Sequence, residues 1–144
     1  MKSLNYKQPE NITKMFVAAE PEVLYAKSVK DNEFSVSDFE MLQKNIPFSL
    51  TEWADILHLS DRTLQRYIKE GKSFEGLYSE HLQQLKNMSE LGLLIFKTSS
   101  LLKEWLIKPK DVLGNVLDFK SLKSFWGVKL ISNELGRIAY GVYI

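Results

Sequence analysis

The chain has 144 residues, with 19 Lys and Arg against 18 Asp and Glu, so its formal net charge is only +1. That near-neutrality argues against a generic polyanion binder, while 44% hydrophobic and 26% charged residues are the balance of a globular domain. Cysteine is absent, which excludes disulfide frameworks and thiol chemistry, and two histidines, His58 and His81, leave few parts for a metal site or a Ser-His-Asp triad.

Residues 1–20 show no sustained periodicity and read as a loose arm. A short helix is expected over 22–29, where Val23, Tyr25 and Ala26 are partly apolar. Ser35 or Ser37 can cap the next helix, whose apolar residues Phe39, Leu42 and Ile46 recur every three to four positions. Pro47 ends it, since the residue before proline avoids helical angles. Ser49-Leu50-Thr51-Glu52 has the spacing of a capping box, and Trp53, Ile56 and Leu57 follow on one face. After a break at His58-Leu59, Ser60-Asp61 opens another helix that stops at Gly71.

A long helix is expected over about 76–97, with Leu82, Leu85, Met88 and Leu91 among its apolar positions. Thr98-Ser99-Ser100 separates it from an apolar helix that Pro109 terminates. Residues 111–114 read as a turn or a short helical piece, and helices near 118–124 and 127–136 complete the chain. Strand signals are almost absent; residues 140–144 alone suit extended backbone. The expected fold class is all-α: an arm over 1–20, a helix-turn-helix module over 21–75 and a second helical module over 76–144. No run of about 18 apolar residues suggests a membrane span, and Met1-Lys2-Ser3-Leu4-Asn5-Tyr6 has no apolar core of a secretory signal. A cytoplasmic location is the expectation.

Residues 50–70 have the pattern of a helix-turn-helix. Ala54 is small where the two helices must approach, and Leu59 and Leu64 point inward with Tyr67 and Ile68. His58 stands where such corners favour a left-handed residue, a conformation that histidine tolerates better than most side chains. The outward face carries Arg62, Gln65, Arg66 and Lys69. Arginine reads guanine bidentately and glutamine reads adenine, while Ser60 and Thr63 sit at the helix N-terminus where phosphate binds. Residues 62–72 hold Arg62, Arg66, Lys69 and Lys72 against Glu70, a local excess of three positive charges that the acidic remainder of the first half conceals. One copy with so few phosphate contacts would bind DNA weakly, so a homodimer on a two-fold site is expected. The competing reading is an αα-hairpin with a solvated face. His81 reads as a partly exposed helical residue, and Trp53, Trp105 and Trp126 read as core.

Leu59-Ser60-Asp61-Arg62-Thr63-Leu64-Gln65-Arg66-Tyr67 resembles the Xre-type antitoxins of RES–Xre toxin–antitoxin pairs, the ParS/MbcA-like family. The likeness continues through Ser79-Glu80-His81-Leu82, then Phe96-Lys97, where the family has Phe-Gly, then Trp105-Leu106-Ile107-Lys108-Pro109 and Leu113-Gly114. It closes with Gly127-Val128 and Leu135-Gly136-Arg137-Ile138-Ala139-Tyr140-Gly141-Val142-Tyr143, while Leu117-Asp118 replaces a usual Thr-Pro and Ala139 a common Glu. The resemblance implies an antitoxin that neutralises a RES-domain, NAD-consuming toxin by obstructing its active site. It also implies binding to the operon's own promoter, alone or together with the toxin. Toxin contacts are then expected at Arg137, Tyr140, Gly141, Val142, Tyr143 and Ile144, since Tyr and Arg dominate interface anchors. Val142 and Tyr140 could instead fold onto their own core, and Arg137 could pair with Glu134. No catalytic set, cofactor motif or metal spacing is present, so no enzymatic role, cofactor or metal is expected. A stand-alone helix-turn-helix regulator is the alternative, and a structural helical adaptor the third reading.

Overall fold

A computed structural model describes residues 33–141. The expected arm over 1–20, the expected helix over 22–29 and Val142, Tyr143 and Ile144 lie outside the described residues. Residues 33–141 are mostly helical, as the all-α expectation requires: α1 (Val36–Asn45), α2 (Leu50–Leu57), α3 (Asp61–Glu70), α4 (Gly76–Phe96), α5 (Ser99–Ile107) and α6 (Phe125–Tyr140).

Local chemistry explains where these helices begin. Ser35, rather than Ser37, caps α1 in a reciprocal box with Asp38. At α2 the Ser49 amide donates to Glu52 Oε1 at 2.8 Å and the Glu52 amide donates to Ser49 Oγ at 3.1 Å. Each box satisfies two amide donors that the first turn leaves unpaired. Ser60 caps α3, Thr98 caps α5 and Ser124 caps α6. Between α2 and α3 the backbone reverses at His58, with φ 60° and ψ 38°, and the Leu59 amide donates to the Ala54 carbonyl at 2.9 Å.

The core begins in aromatic rings. Trp53, Phe39, Phe48 and Phe74 are buried and pack edge-on or tilted at centroid distances of 5.5–5.6 Å. Reciprocal backbone hydrogen bonds between Phe34 and Phe74, 3.0 and 2.8 Å, lace the chain before α1 to the chain after α3. α4 then carries a buried stripe of His81, Leu82, Leu85, Met88, Ser89 and Gly92 against α1, α5 and α6. Gly92 is where α5 comes closest, and a Cβ there would overlap the Leu102 side chain. Asn45 Nδ2 donates to Ser89 Oγ at 3.1 Å, which satisfies a hydroxyl that α4 buries.

The second half departs from expectation in two elements. The turn or short helical piece expected at 111–114 is the tip of an antiparallel hairpin, β1 (Lys110–Val112) paired with β2 (Asn115–Leu117). Leu113 and Gly114 both have positive φ, 52° and 84°. Two successive positive-φ residues give the primed turn that matches strand twist, so the apolar Leu113 had disguised a hairpin signal. The helix expected near 118–124 is a single 3-10 segment, Phe119–Lys123, capped by Asp118 and Ser121. Thus Asp118 supplies the cap despite replacing a Thr-Pro pair.

The last helix is longer than the expected 127–136, because Ser124 caps it early and it runs to Tyr140. Residues 140–144 were expected to suit extended backbone, but Tyr140 closes α6 and Gly141 is its left-handed cap at φ 78°. Trp126, expected in the core, is 67% exposed, because it lies on the opposite side of α6 from Val128, Ile131 and Leu135.

Two substitutions test this packing. Lys97 closes α4 in a left-handed conformation, φ 71°, so Lys97→Gly should raise stability by about 0.5–1 kcal/mol in urea unfolding. Gly127 has no room for a methyl group, because a Cβ would overlap the Ser121 carbonyl. Gly127→Ala should therefore cost about 2–3 kcal/mol in the same measurement.

Candidate functional site

Two exposed faces and one interior seam contain the chemically capable side chains. The first face belongs to α3. Leu64 is fully buried and Tyr67 and Ile68 half-buried, which turns the opposite side of α3 outward. Arg62, Gln65, Arg66 and Lys69 are all exposed there and line one shallow depression of about 520 Å³ with Glu70. None of the salt bridges among the described residues engages these three cations. Ser60 and Thr63 stand at the start of the same helix, but their hydroxyls are bonded to each other at 2.8 Å, and Ser60 Oγ also accepts from the Thr63 amide at 3.1 Å. Their first task is to hold the helix start. Thr51 Oγ1 donates to Asp61 Oδ2 at 2.7 Å, which fixes α3 to α2.

The second face belongs to α6. Trp126, Leu130, Asn133, Arg137 and Tyr140 recur at spacings of four and three, which places them along one side of the helix. Trp126 and Tyr140 are 67% and 63% exposed, while Leu130 and Asn133 are half-buried. Of the six residues expected to contact a toxin, Arg137, Tyr140 and Gly141 are described and share the last turn and cap of α6. Arg137 is engaged by its own helix: Nε and Nη2 donate to Glu134 Oε1 and Oε2 at 3.0 and 2.6 Å. The Arg137 hydrogen bond is the main reason the largely buried Glu134 carboxyl lies below its ordinary pKa; burial opposes it, and the charges of Arg137 and Lys110 add to the lowering.

The interior seam was not anticipated. His81, expected to be partly exposed, is only 8% exposed, and its Nε2–H donates to the Leu122 carbonyl at 2.9 Å. His58 Nε2–H donates to the next carbonyl, Lys123, at 2.7 Å. A carbonyl can only accept, so both rings carry the proton on Nε2 in this bond. Lys123 Nζ pairs with Asp55 at 3.0 Å, and Gln84 Nε2 donates to the Phe125 carbonyl at 3.0 Å. Burial is the main cause that pushes the His81 pKa below 6.5; its bond to Leu122 opposes that, and the neighbouring His58 adds to it. A sequence signal for the burial existed: His81, Leu85, Met88 and Gly92 are spaced four, three and four apart, the period of a core-facing stripe.

Lys110 completes the charged features near Glu134. Its ammonium lies 4.2 Å over the Trp105 ring, and burial is the main cause of its lowered pKa. No group of three His, Cys, Asp or Glu among the described residues could hold a metal ion, and no described helix is long and apolar enough to cross a membrane.

The Glu134–Arg137 pair has a definite pH signature. A carboxyl whose folded pKa is lowered contributes stability that is complete above its ordinary value of 4.5 and is lost as pH falls through the lowered value. The Arg137 side chain is 44% exposed, and solvent screens it, so Arg137→Ala should cost about 1 kcal/mol near neutrality. The difference between wild type and variant should shrink in urea titrations as pH falls below 4.5. Comparison of the sequence with known family models finds no match, and comparison with curated proteins finds none either.

Proposed function

We propose that this chain is an antitoxin resembling the Xre-type partners of RES-domain toxins, one that neutralises its cognate toxin by occlusion and contributes no chemistry of its own. The observation that carries the reading is the pairing, within one chain, of an exposed Arg-Gln-Lys face on α3 with an α6 whose last turn exposes Arg137, Ile138 and Tyr140. The resemblance assigns a role to each. The α3 face reads operator DNA as the second helix of a helix-turn-helix, and the end of α6 with residues 142–144 covers the toxin's NAD pocket.

The chemistry of both faces supports these roles. Left-handed backbone at His58 lets α3 follow α2 after three residues, and the α3 side chains suit guanine and adenine edges. Three cations per copy are too few for tight binding by a monomer, so the operator complex uses a homodimer, alone or held by the toxin. On α6, Trp, Tyr and Arg along one side are the side chains that dominate protein interfaces. The family motif Trp105-Leu106-Ile107-Lys108-Pro109 has a structural explanation in this chain: Leu106 is buried, and Trp105 packs on Phe96 at 5.6 Å under Lys110. A stand-alone regulator is the second reading, favoured by the exposed α3 face alone.

Co-expression with the product of the adjacent gene separates the two. Rescue of growth is expected from the antitoxin, and a non-toxic neighbour or absent rescue would leave the regulator. Removing residues 141–144 should impair rescue while helicity by circular dichroism is kept. The Arg62→Ala/Arg66→Ala double variant should lose promoter binding, with its salt slope reduced by about 2 per copy, yet still rescue. Unchanged promoter affinity would show that this face is not the reader.

A further inference from the structure

A pocket of about 550 Å³ opens where the end of α2, the start of α4 and the first turn of α6 meet. Its walls are apolar or aromatic: Leu57, Leu77, Tyr78 and Phe125, with the His81 ring tilted against Phe125 at 5.8 Å. Polar links at residues 122–125 hold these walls in place. Gln84 donates to the Phe125 carbonyl, His81 to the Leu122 carbonyl and His58 to the Lys123 carbonyl, while Lys123 Nζ pairs with Asp55. The pocket is formed before anything enters it, so an occupant does not bear the cost of ordering it.

The patch around this pocket is poorly covered by its own chain. Leu77 is 74% exposed, Phe125 44% and Tyr78 37%. Phe125 lines the hole, and the next residue, Trp126, exposes its ring beside it on the same turn of α6. Two charged side chains accompany them. Glu75, at the pocket, is exposed and makes no capping hydrogen bond to α4. Lys129 lies three residues after Trp126, hence next to it on the surface of α6, and is also exposed. None of the salt bridges among the described residues engages Glu75 or Lys129.

We propose that this patch is the contact between two copies of the chain. Trp126 of each copy enters the pocket of the other, and Lys129 of each copy pairs with Glu75 of the other. A two-fold contact joins a surface to itself, so every feature must find its complement on the same patch. Both members of each pair are present here: hole and ring, carboxylate and ammonium. An unrelated partner accounts for a hole or for an exposed ring, but does not require the two side by side.

The three aromatic side chains alone lose about 300 Å² of surface per copy on pairing, taking about 150–250 Å² for each when whole. Leu77 and the polar rim add to that, and a standard interface buries roughly 800 Å² per partner, so the pairing is of micromolar strength. Neither the α3 cations nor the last turn of α6 belongs to the patch, and both faces stay open in the dimer. The inference rests on the proposed function for the homodimer alone and fixes where the copies meet.

Sedimentation of the full chain without toxin or DNA tests the contact. A reversible monomer–dimer equilibrium is expected over about 1–200 μM. Trp126→Ala should weaken it at least about thirtyfold, with helicity by circular dichroism unchanged. Glu75→Lys and Lys129→Glu should each weaken it about tenfold, and the double variant, in which the two charges have changed places, should recover wild-type pairing. A wild type that stays monomeric over that range overturns the proposal, and so does a dimer that Trp126→Ala leaves intact. Single charge variants that pair like wild type, or a double variant no better than either single, overturn it equally. Failure here is distinct from failure of the proposed function: rescue of growth on co-expression can succeed while pairing at this patch fails, and pairing can hold while rescue fails.

Discussion

A continuous chain of six aromatic rings sets the geometry on which both exposed faces depend. Tyr67 of α3 stacks on Phe74 at 5.2 Å, Phe74 packs against Phe39, Phe39 against Trp53, Trp53 against Phe48, and Phe48 against Phe119 of the 3-10 segment at 5.3 Å. Offset and edge-on pairs at such distances contribute about 0.5–1.5 kcal/mol each beyond area burial. The ring series starts behind the α3 face and ends at Phe119, the first residue of the 3-10 segment that leads into α6, so close-packed rings link α3 to that segment. Trp53 sits at its centre with its Nε1 buried and without a hydrogen-bond partner. That desolvated donor costs stability, and the rings on either side of Trp53 outweigh the cost.

The seam at residues 122–125 complements the rings in a different currency. Rings fix distance and orientation through close packing, whereas the histidine, glutamine and lysine links there are polar and respond to the medium. Gly127 adds a steric condition: α6 can turn back onto the 3-10 segment only because no Cβ lies against the Ser121 carbonyl. Close packing without a side chain, the Ser124 cap and the bonds to the Leu122 and Lys123 carbonyls together fix this junction.

The sequence was legible wherever a residue's type and its structural duty coincide. Ser49-Leu50-Thr51-Glu52 formed the expected box, Gly71 the expected left-handed stop, and Phe39, Leu42 and Ile46 the expected buried face. His58 took the left-handed corner anticipated from its position. Legibility failed where an unsuited residue takes on a special backbone duty. Leu113 occupies a turn position that Asn or Gly normally fills, so the hairpin was invisible. Lys97 does the same at the end of α4, where the resemblance had marked a missing glycine. Trp126 and His81 failed in the opposite way: residue type suggested burial for the tryptophan and partial exposure for the histidine, while position on the helix decided otherwise.

Those exceptions bear on how the two faces can work. Natural sequences depart from local preference where something else compensates, and Leu113, 78% exposed in a left-handed turn, gains nothing from its own core. Trp126 likewise exposes a large ring where a polar side chain would serve folding as well. The α3 face contains no such departure: its cations are solvated, its helix is capped at both ends, and its inward residues follow the expected period. Exposed apolar side chains lie on the hairpin and α6, at Leu113, Val116, Trp126 and Tyr140, and also on α4 and α5, at Leu77, Leu94 and Leu101. Folding alone gives no reason for a ring as large as Trp126 on the outer side of α6, so a role for that side chain has to be sought in what α6 meets, which is where the proposed covering of a protein surface would place it.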